Sequence, residues 1–368
     1  MELLARARRL ESEGRSIIHM EVGEPDFPTP EPVRQAAQSI LETNPIHYTP
    51  ALGLPELREA IRGYYRQRYG LDIPASRIVI TPGSSGALQL IMGILINAGD
   101  AVLMADPGYP CNRHFVRLHE GQAIQIPVDH ESHYQLNSAL LEQYWHDKTC
   151  AVLVASPSNP TGSIIPATQL QELHDHIEQR EAVLIMDEIY HGLTYGIQPQ
   201  TALTLGDSVF VINSFSKYFG MTGWRLGWIV APDWAVDALD RLAQNLFLSA
   251  PTLSQYAALT CFQPETQKIL EQRRQAFQAR RDYLLPALKS LGFSIQVEPQ
   301  GAFYIYADSS RFTDDSFNFC HELLDKTGVA VTPGKDFGSY RAGSHVRFAY
   351  TSDREQLEEG VRRLQEYL

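Results

Sequence analysis

The feature that most constrains this chain is an alternation, from about residue 45 to 235, of short apolar runs with turns and helical segments. The runs are IVIT (78–81), AVLMAD (101–106), AVLVAS (151–156), AVLIMD (182–187) and VFVIN (209–213). Each is apolar along its length rather than at alternate positions, so both faces of such a strand must be covered. Covered strands separated by helices predict an α/β fold with a mostly parallel sheet between helices. A sixth run, LGWIVA (226–231), comes after VFVIN across a turn too short for a crossover helix, which predicts an antiparallel neighbour. Beyond Pro232 helical periodicity prevails to about residue 290, with a break near Pro264 and a charged helix over Glu265–Leu291. The runs FSIQV (293–297), AFYIYA (302–307) and VRFAY (346–350) then flank the helical SFNFCHELLDKTG, the texture of a smaller α+β unit. The first residues read as a short amphipathic helix leading into a strand. The expected division is an N-terminal segment 1–40 joined to the smaller domain, a large domain 41–255 and a small C-terminal domain 256–368.

Composition narrows the function classes. The 368 residues carry a net charge of −12, which argues against a nucleic-acid-binding footprint and against adhesion to anionic membranes. No apolar run is long enough to span a bilayer. The cysteines at 111, 150, 261 and 320 form no C-x-x-C pair, so neither a disulfide framework nor a zinc knuckle is read, and a reducing cytoplasm is the expected compartment.

In open α/β sheets ligands bind beyond the carboxyl ends of the strands. After IVIT comes Gly83-Ser84-Ser85-Gly86 at a helix start; after AVLMAD comes Tyr109; after AVLVAS comes Asn159. AVLIMD ends in Asp187, with Tyr190 soon after, and VFVIN leads into Ser214-Phe215-Ser216-Lys217, with Arg225 beyond. This set suits pyridoxal 5'-phosphate, which needs a lysine for its aldehyde and an acid for its pyridine nitrogen. Asp187 would keep that nitrogen protonated. Tyr190 and Asn159 would hydrogen-bond the ring oxygen, and Tyr109 would stack on the ring. Ser84, Ser85 and a helix N-terminus would cradle the phosphate, completed by Ser214, Ser216 and Arg225. Lys217, among buried and cationic neighbours, would lose its proton more easily than a surface lysine and move a proton during the reaction.

The stretch S-F-S-K with its downstream G-W-R-L-G, the S-N-P-T-G, the D-E-I-Y after a strand and V-G-E-P-D-F-P-T-P resemble the class I/II aminotransferases. These are fold-type I pyridoxal-phosphate enzymes similar to aspartate aminotransferase. The resemblance spans nearly the whole chain and implies a seven-stranded, mostly parallel sheet and a homodimer with sites at the subunit interface. It implies that Tyr48 reaches the phosphate of the partner subunit's cofactor. Arg347 matches the arginine that grips the substrate α-carboxylate, and Gly23 the segment that lines the substrate site. The reaction implied is exchange of an amino group between an L-amino acid and a 2-oxo acid, by a ping-pong cycle through pyridoxamine phosphate.

Two other functions fit less well. A C–S β-lyase would use the same residues. A non-catalytic ligand-sensing regulator would need a DNA-binding segment ahead of residue 20, where none is read. Position 87 is alanine, so residues 83–87 are not a G-x-S-x-G elbow. Gly220, Gly223 and Gly227 do not make G-x-G-x-x-G. His174 and His176, two apart on a helix, point to different faces and make a poor metal pair. The side-chain pocket is expected from Ile17–Val22, Tyr109–Arg113 and Lys335–Tyr340. Arg113 or Lys335 would favour an acidic side chain, Phe337 and Tyr340 an apolar or aromatic one.

Overall fold

The computed structural model describes residues 2–43 and 45–368. Numbered in chain order, its strands are β1 Ile18–His19, β2 Ile78–Thr81, β3 Ala101–Asp106, β4 Gln122–Pro127, β5 Thr149–Ala155 and β6 Val183–Asp187. They continue with β7 Phe210–Ser214, β8 Gly227–Val230, β9 Tyr304–Asp308, β10 Val329–Ala330, β11 Thr332–Pro333 and β12 His345–Ala349. A seven-stranded sheet runs in the order β2-β8-β7-β6-β5-β3-β4. Within it β8 alone is antiparallel to its neighbours, as its short connection to β7 requires. The fold is α/β, with helices such as Gly83–Leu95, Ala167–Glu178 and Asp233–Leu246 around the sheet.

The apolar runs lie where the sequence places them, because their residues are buried on both faces. β4 is the strand that the apolar runs do not reveal. It is an edge strand of mixed composition, QAIQIP, and only Ile126 is fully buried. FSIQV, expected as a strand, contributes only an isolated bridge between Ser294 and Asp308, while Phe293 and Ile295 turn into the core. The helix Pro264–Leu291 starts with proline in its first turn and ends on Gly292 at φ 105°, a position open to glycine.

A second, three-stranded antiparallel sheet has the order β11-β12-β9, so β12 is central and carries Arg347. The chain start is tied to this region. β1 pairs in parallel with β10, and Arg6 of the helix Glu2–Ser12 bridges to Asp325. The helix Glu31–Thr43 packs instead on the helix Thr252–Ala258. Among the described residues no helix is long and apolar enough to cross a membrane.

Candidate active site

The carboxyl ends of β3, β5, β6 and β7 lie along one edge of the seven-stranded sheet, and the central strand of the small sheet faces them. Between them is a cavity of about 420 Å³, within the usual size of ligand sites. Ser84, Ser85, Tyr109, Asn159, Asp187, Tyr190, Ser216, Lys217, Arg225, Gly23 and Arg347 all line it.

Lys217 is half-buried and donates from Nζ to the carbonyl oxygen of Gly23 at 2.7 Å. Burial above all, then the positive charge of Arg347, pushes its amine down to about 8. Asp187 ends β6, and its Oδ1 accepts, among the described residues, only the backbone N–H of Ile189 at 3.1 Å. Burial lifts its carboxyl to about 6, against the opposing pull of Ile189 and Lys217. Tyr190 is buried with its hydroxyl 2.9 Å from that of Tyr304. Gly23 approaches Tyr304 so closely that a Cβ would stand 2.2 Å from its hydroxyl oxygen. Only glycine therefore lets this segment reach the lysine.

Arg347 donates from Nη1 to Asn159 Oδ1 at 2.9 Å, and from Nη2 to the Glu21 carbonyl at 2.6 Å and Thr332 Oγ1 at 3.2 Å. Its guanidinium carbon lies 4.2 Å from the Tyr304 ring centroid and 4.8 Å from that of Phe337. All three hydrogen-bond partners are neutral, and Nε is buried without a partner among the described residues.

The opposite end of the cavity is built for an anion. The helix Gly83–Leu95 begins there with Ser84 and Ser85 in its first turn. Gly83 has φ +70°, and a Cβ on it would meet Arg225 Nη2 at 2.6 Å. The missing side chain thus lets the guanidinium lie against the helix start. Arg225 also donates to Ser216 Oγ at 3.4 Å and to the Thr222 carbonyl at 3.0 Å. An N-terminal dipole, hydroxyls and an arginine with no carboxylate partner among the described residues match a phosphate. With the desolvated amine and the buried carboxyl, this end fits pyridoxal phosphate.

Ser214, expected at the phosphate, does not line the cavity. Its Oγ donates to the Leu226 carbonyl at 3.3 Å and accepts the Ser216 N–H at 3.0 Å, so it shapes the turn that aims Lys217. Tyr48 is 81 % exposed and does not line the cavity of its own chain. Tyr304, Thr332 and the helix residues Leu3 and Leu4 also line the site and were not anticipated, while Asp336 lines it from within the expected segment Lys335–Tyr340. Tyr304 was legible in part. AFYIYA alternates aromatics on one strand face, and register sets Arg347 opposite Tyr306, two residues along from Tyr304 on that face.

The chain belongs to the aminotransferase class I and II family, whose model matches residues 15–364. It is 40 % identical to the valine–pyruvate aminotransferase of Mycobacterium tuberculosis, over 99 % of this chain and 94 % of that protein. It is 32 % identical to an aspartate aminotransferase of Pyrococcus abyssi, over 96 % of this chain and 92 % of that protein. The structure of Thermus thermophilus aspartate aminotransferase with maleate superposes with a TM-score of 0.94 at 31 % identity, covering 100 % of this chain and 96 % of that one. The fold is that of fold-type I transferases, the chain is a transaminase, and family and fold imply pyridoxal phosphate. A lyase reading is not favoured by these relatives.

Proposed function

We propose that Lys217, Asp187 and Arg347 are the working groups of this transaminase, with Tyr190, Asn159, Tyr109, Ser84, Ser85, Ser216 and Arg225 holding the cofactor. The bound cofactor supplies an electron sink and carries the amino group between the two halves of the exchange. Lys217 Nζ would hold the cofactor's aldehyde carbon at rest and, once free, would take the proton from the substrate Cα. Asp187 holds the positive charge of the pyridine nitrogen. Tyr190 and Asn159 orient the ring oxygen. Arg347 receives the substrate α-carboxylate through a two-pronged pair, and Gly23 leaves room for the substrate beside the lysine.

One observation carries this reading: Arg347 is a buried cation that faces the cavity with only neutral partners. A buried charge without a counter-charge is costly unless a ligand brings one. The test is borohydride reduction of the holoprotein and then peptide mass analysis, with the adduct expected on Lys217; an adduct elsewhere removes the assignment. Conversion of the cofactor band by amino acids, with no acceptor acid and no release of ammonia, separates transamination from elimination.

We also propose a homodimer. Tyr48, Ile46, Leu41 and Leu248 are exposed on the same chain, and the loop of Tyr48 is held by Thr252 Oγ1 donating to the His47 carbonyl at 2.7 Å. In such a dimer Tyr48 would serve the phosphate of the partner's site. The proposed division is 1–40, 41–255 and 256–368, with the helix Glu31–Thr43 bridging to the large domain through Thr252–Ala258. The cytoplasm is the proposed compartment, since the four cysteines are free thiols.

A further inference from the structure

Asp106 ends β3, is 2 % exposed, and has no part in the roles assigned above. Its carboxylate holds the connection between β11 and β12 of the small sheet. The Ser339 N–H donates to both its oxygens, at 3.1 and 3.0 Å. Ser339 Oγ and the Tyr340 N–H donate to Oδ2 at 2.9 and 3.2 Å. Gly338 comes so close that a Cβ would stand 1.7 Å from Oδ1. The Gly108 N–H donates to the Phe337 carbonyl at 3.0 Å, a second tie between the same two segments. Of the expected pocket segment, Lys335 pairs with Asp315 at 2.6 Å, the Tyr340 hydroxyl donates to Asp129 Oδ2 at 3.3 Å, and neither lines the cavity. Phe337 does line it, with its ring centroid 4.8 Å from the Arg347 guanidinium.

We propose that Asp106 is a positioning residue for the substrate α-carboxylate: by anchoring residues 338–340 to the end of β3, it holds the small sheet in register with the large one and so fixes the aim of Arg347. This rests on the carboxylate role of Arg347 and adds what keeps that arginine in place. The Arg347 hydrogen bonds reach Asn159, after β5 of the large sheet, and Glu21 and Thr332 beside the small one. That set holds only while the two sheets keep their spacing at the cavity. Hydrogen bonds from backbone N–H groups to a carboxylate are of the stronger, charge-assisted kind. One buried acid can therefore anchor a loop whose Ser339 and Arg341 are themselves exposed. A guanidinium held in place before the ligand arrives loses less freedom on binding, and a small misplacement is costly in rate.

The experiment compares Asp106→Ala with the wild-type holoprotein in single-turnover conversion of the cofactor band. The probes are L-valine and isobutylamine, which has the same side chain and no carboxylate. Where another amino acid reacts faster, it and its decarboxylated amine take their place. For the amino acid kcat/KM is expected to fall about tenfold or more, mainly through KM. For the amine it is expected to stay within about twofold. In an Arg347→Met background Asp106→Ala is expected to add less than about twofold, because the group it aims is gone. Gly338→Ala, which drives the loop off the carboxylate, is expected to repeat the pattern in a chain that keeps the acid, so a misfolded Asp106→Ala leaves the test intact. In the apoprotein, tryptic cleavage after Arg341 is expected to quicken about tenfold or more in both variants as the loop opens. Unchanged amino-acid kinetics, an equal loss with the amine, or full additivity with Arg347→Met overturns the proposal. If the wild type converts no amino acid, the role of Arg347 falls and the cleavage alone decides the anchor, which an unchanged rate removes.

Discussion

Two arginines are almost equally buried, Arg77 at 2 % and Arg347 at 6 % exposed, yet they do opposite things. Arg77 donates from Nε to the Ala231 carbonyl at 2.7 Å, pairs with Asp207, and ties the strand β2 region to the end of β8. Among the described residues Arg347 meets neutral oxygens only and keeps an unpartnered Nε. The first charge is balanced within the chain; the second has no counter-charge among the described residues.

The same contrast separates two neighbouring acids. Glu188 accepts from the Ala202 N–H at 2.7 Å and from Thr201 Oγ1 at 2.9 and 3.0 Å, and lies 3.3 Å from His191 Nδ1. Asp187, one residue earlier and on the other side of the strand, accepts a single backbone N–H. Burial lifts Glu188 to about 8 and depresses His191 to about 3, so this pair holds no charge on the imidazole near neutrality. On the proposed reading, groups with complete partners make structure, and groups left incomplete at the cavity wall make chemistry.

The largest expected effect falls on an incomplete group. Lys217→Ala should cut turnover by about 10²–10⁴-fold or more while leaving the denaturant midpoint unchanged or higher, since it removes a desolvated amine held by one carbonyl. A large loss of stability would move Lys217 to the structural class. Next, Arg347→Met should lower kcat/KM by about 10–150-fold, the equivalent of roughly 1.5–3 kcal/mol for hydrogen bonds to a charged group, with little change in unfolding. Arg77→Met should do the reverse, costing about 2–4 kcal/mol of stability with kcat/KM preserved. Asp207 is 84 % exposed, so the Arg77 cost comes from packing and the Ala231 carbonyl rather than from a stranded acid. Steady-state kinetics and urea titrations on both variants decide between the two classes.

A smaller effect is the pH dependence of cofactor uptake. Only the neutral amine attacks the aldehyde, and burial pushes Lys217 down to about 8. The rate of uptake by the apoprotein should therefore rise with pH and level off above about 8, instead of near 10.5 as for a free lysine. In Arg347→Met the midpoint should move up, because that arginine's charge is the second cause of the depression. An unmoved midpoint in stopped-flow absorbance would remove Arg347's charge from the causes of the depression. The smallest effect is Tyr48→Phe, expected to weaken cofactor retention by about fivefold, the worth of one hydrogen bond. Cofactor exchange measured by dialysis checks it, and an unchanged retention would remove Tyr48 from the phosphate.

The residues themselves determined the sheet and which side chains stand at its strand ends. Continuous apolar runs can only be covered strands, and the residues just past their carboxyl ends fall along one edge of the sheet, so Asp187, Asn159, Tyr109 and Lys217 were legible as a set. Local pattern could not decide Ser214, whose hydroxyl was captured by the turn, because a serine after a strand serves a ligand or its own backbone with equal ease. β4 stayed hidden because an edge strand is covered on fewer sides and need not be apolar throughout. What only the tertiary structure decided is the pairing of distant pieces. Gly23 comes against Tyr304, Arg347 against Asn159, and Leu3 and Leu4 into the wall of a cavity made by residues hundreds of positions away. The physical reason is that a strand announces its burial in its own composition, whereas the emptiness beside a charge is a property of everything packed around it.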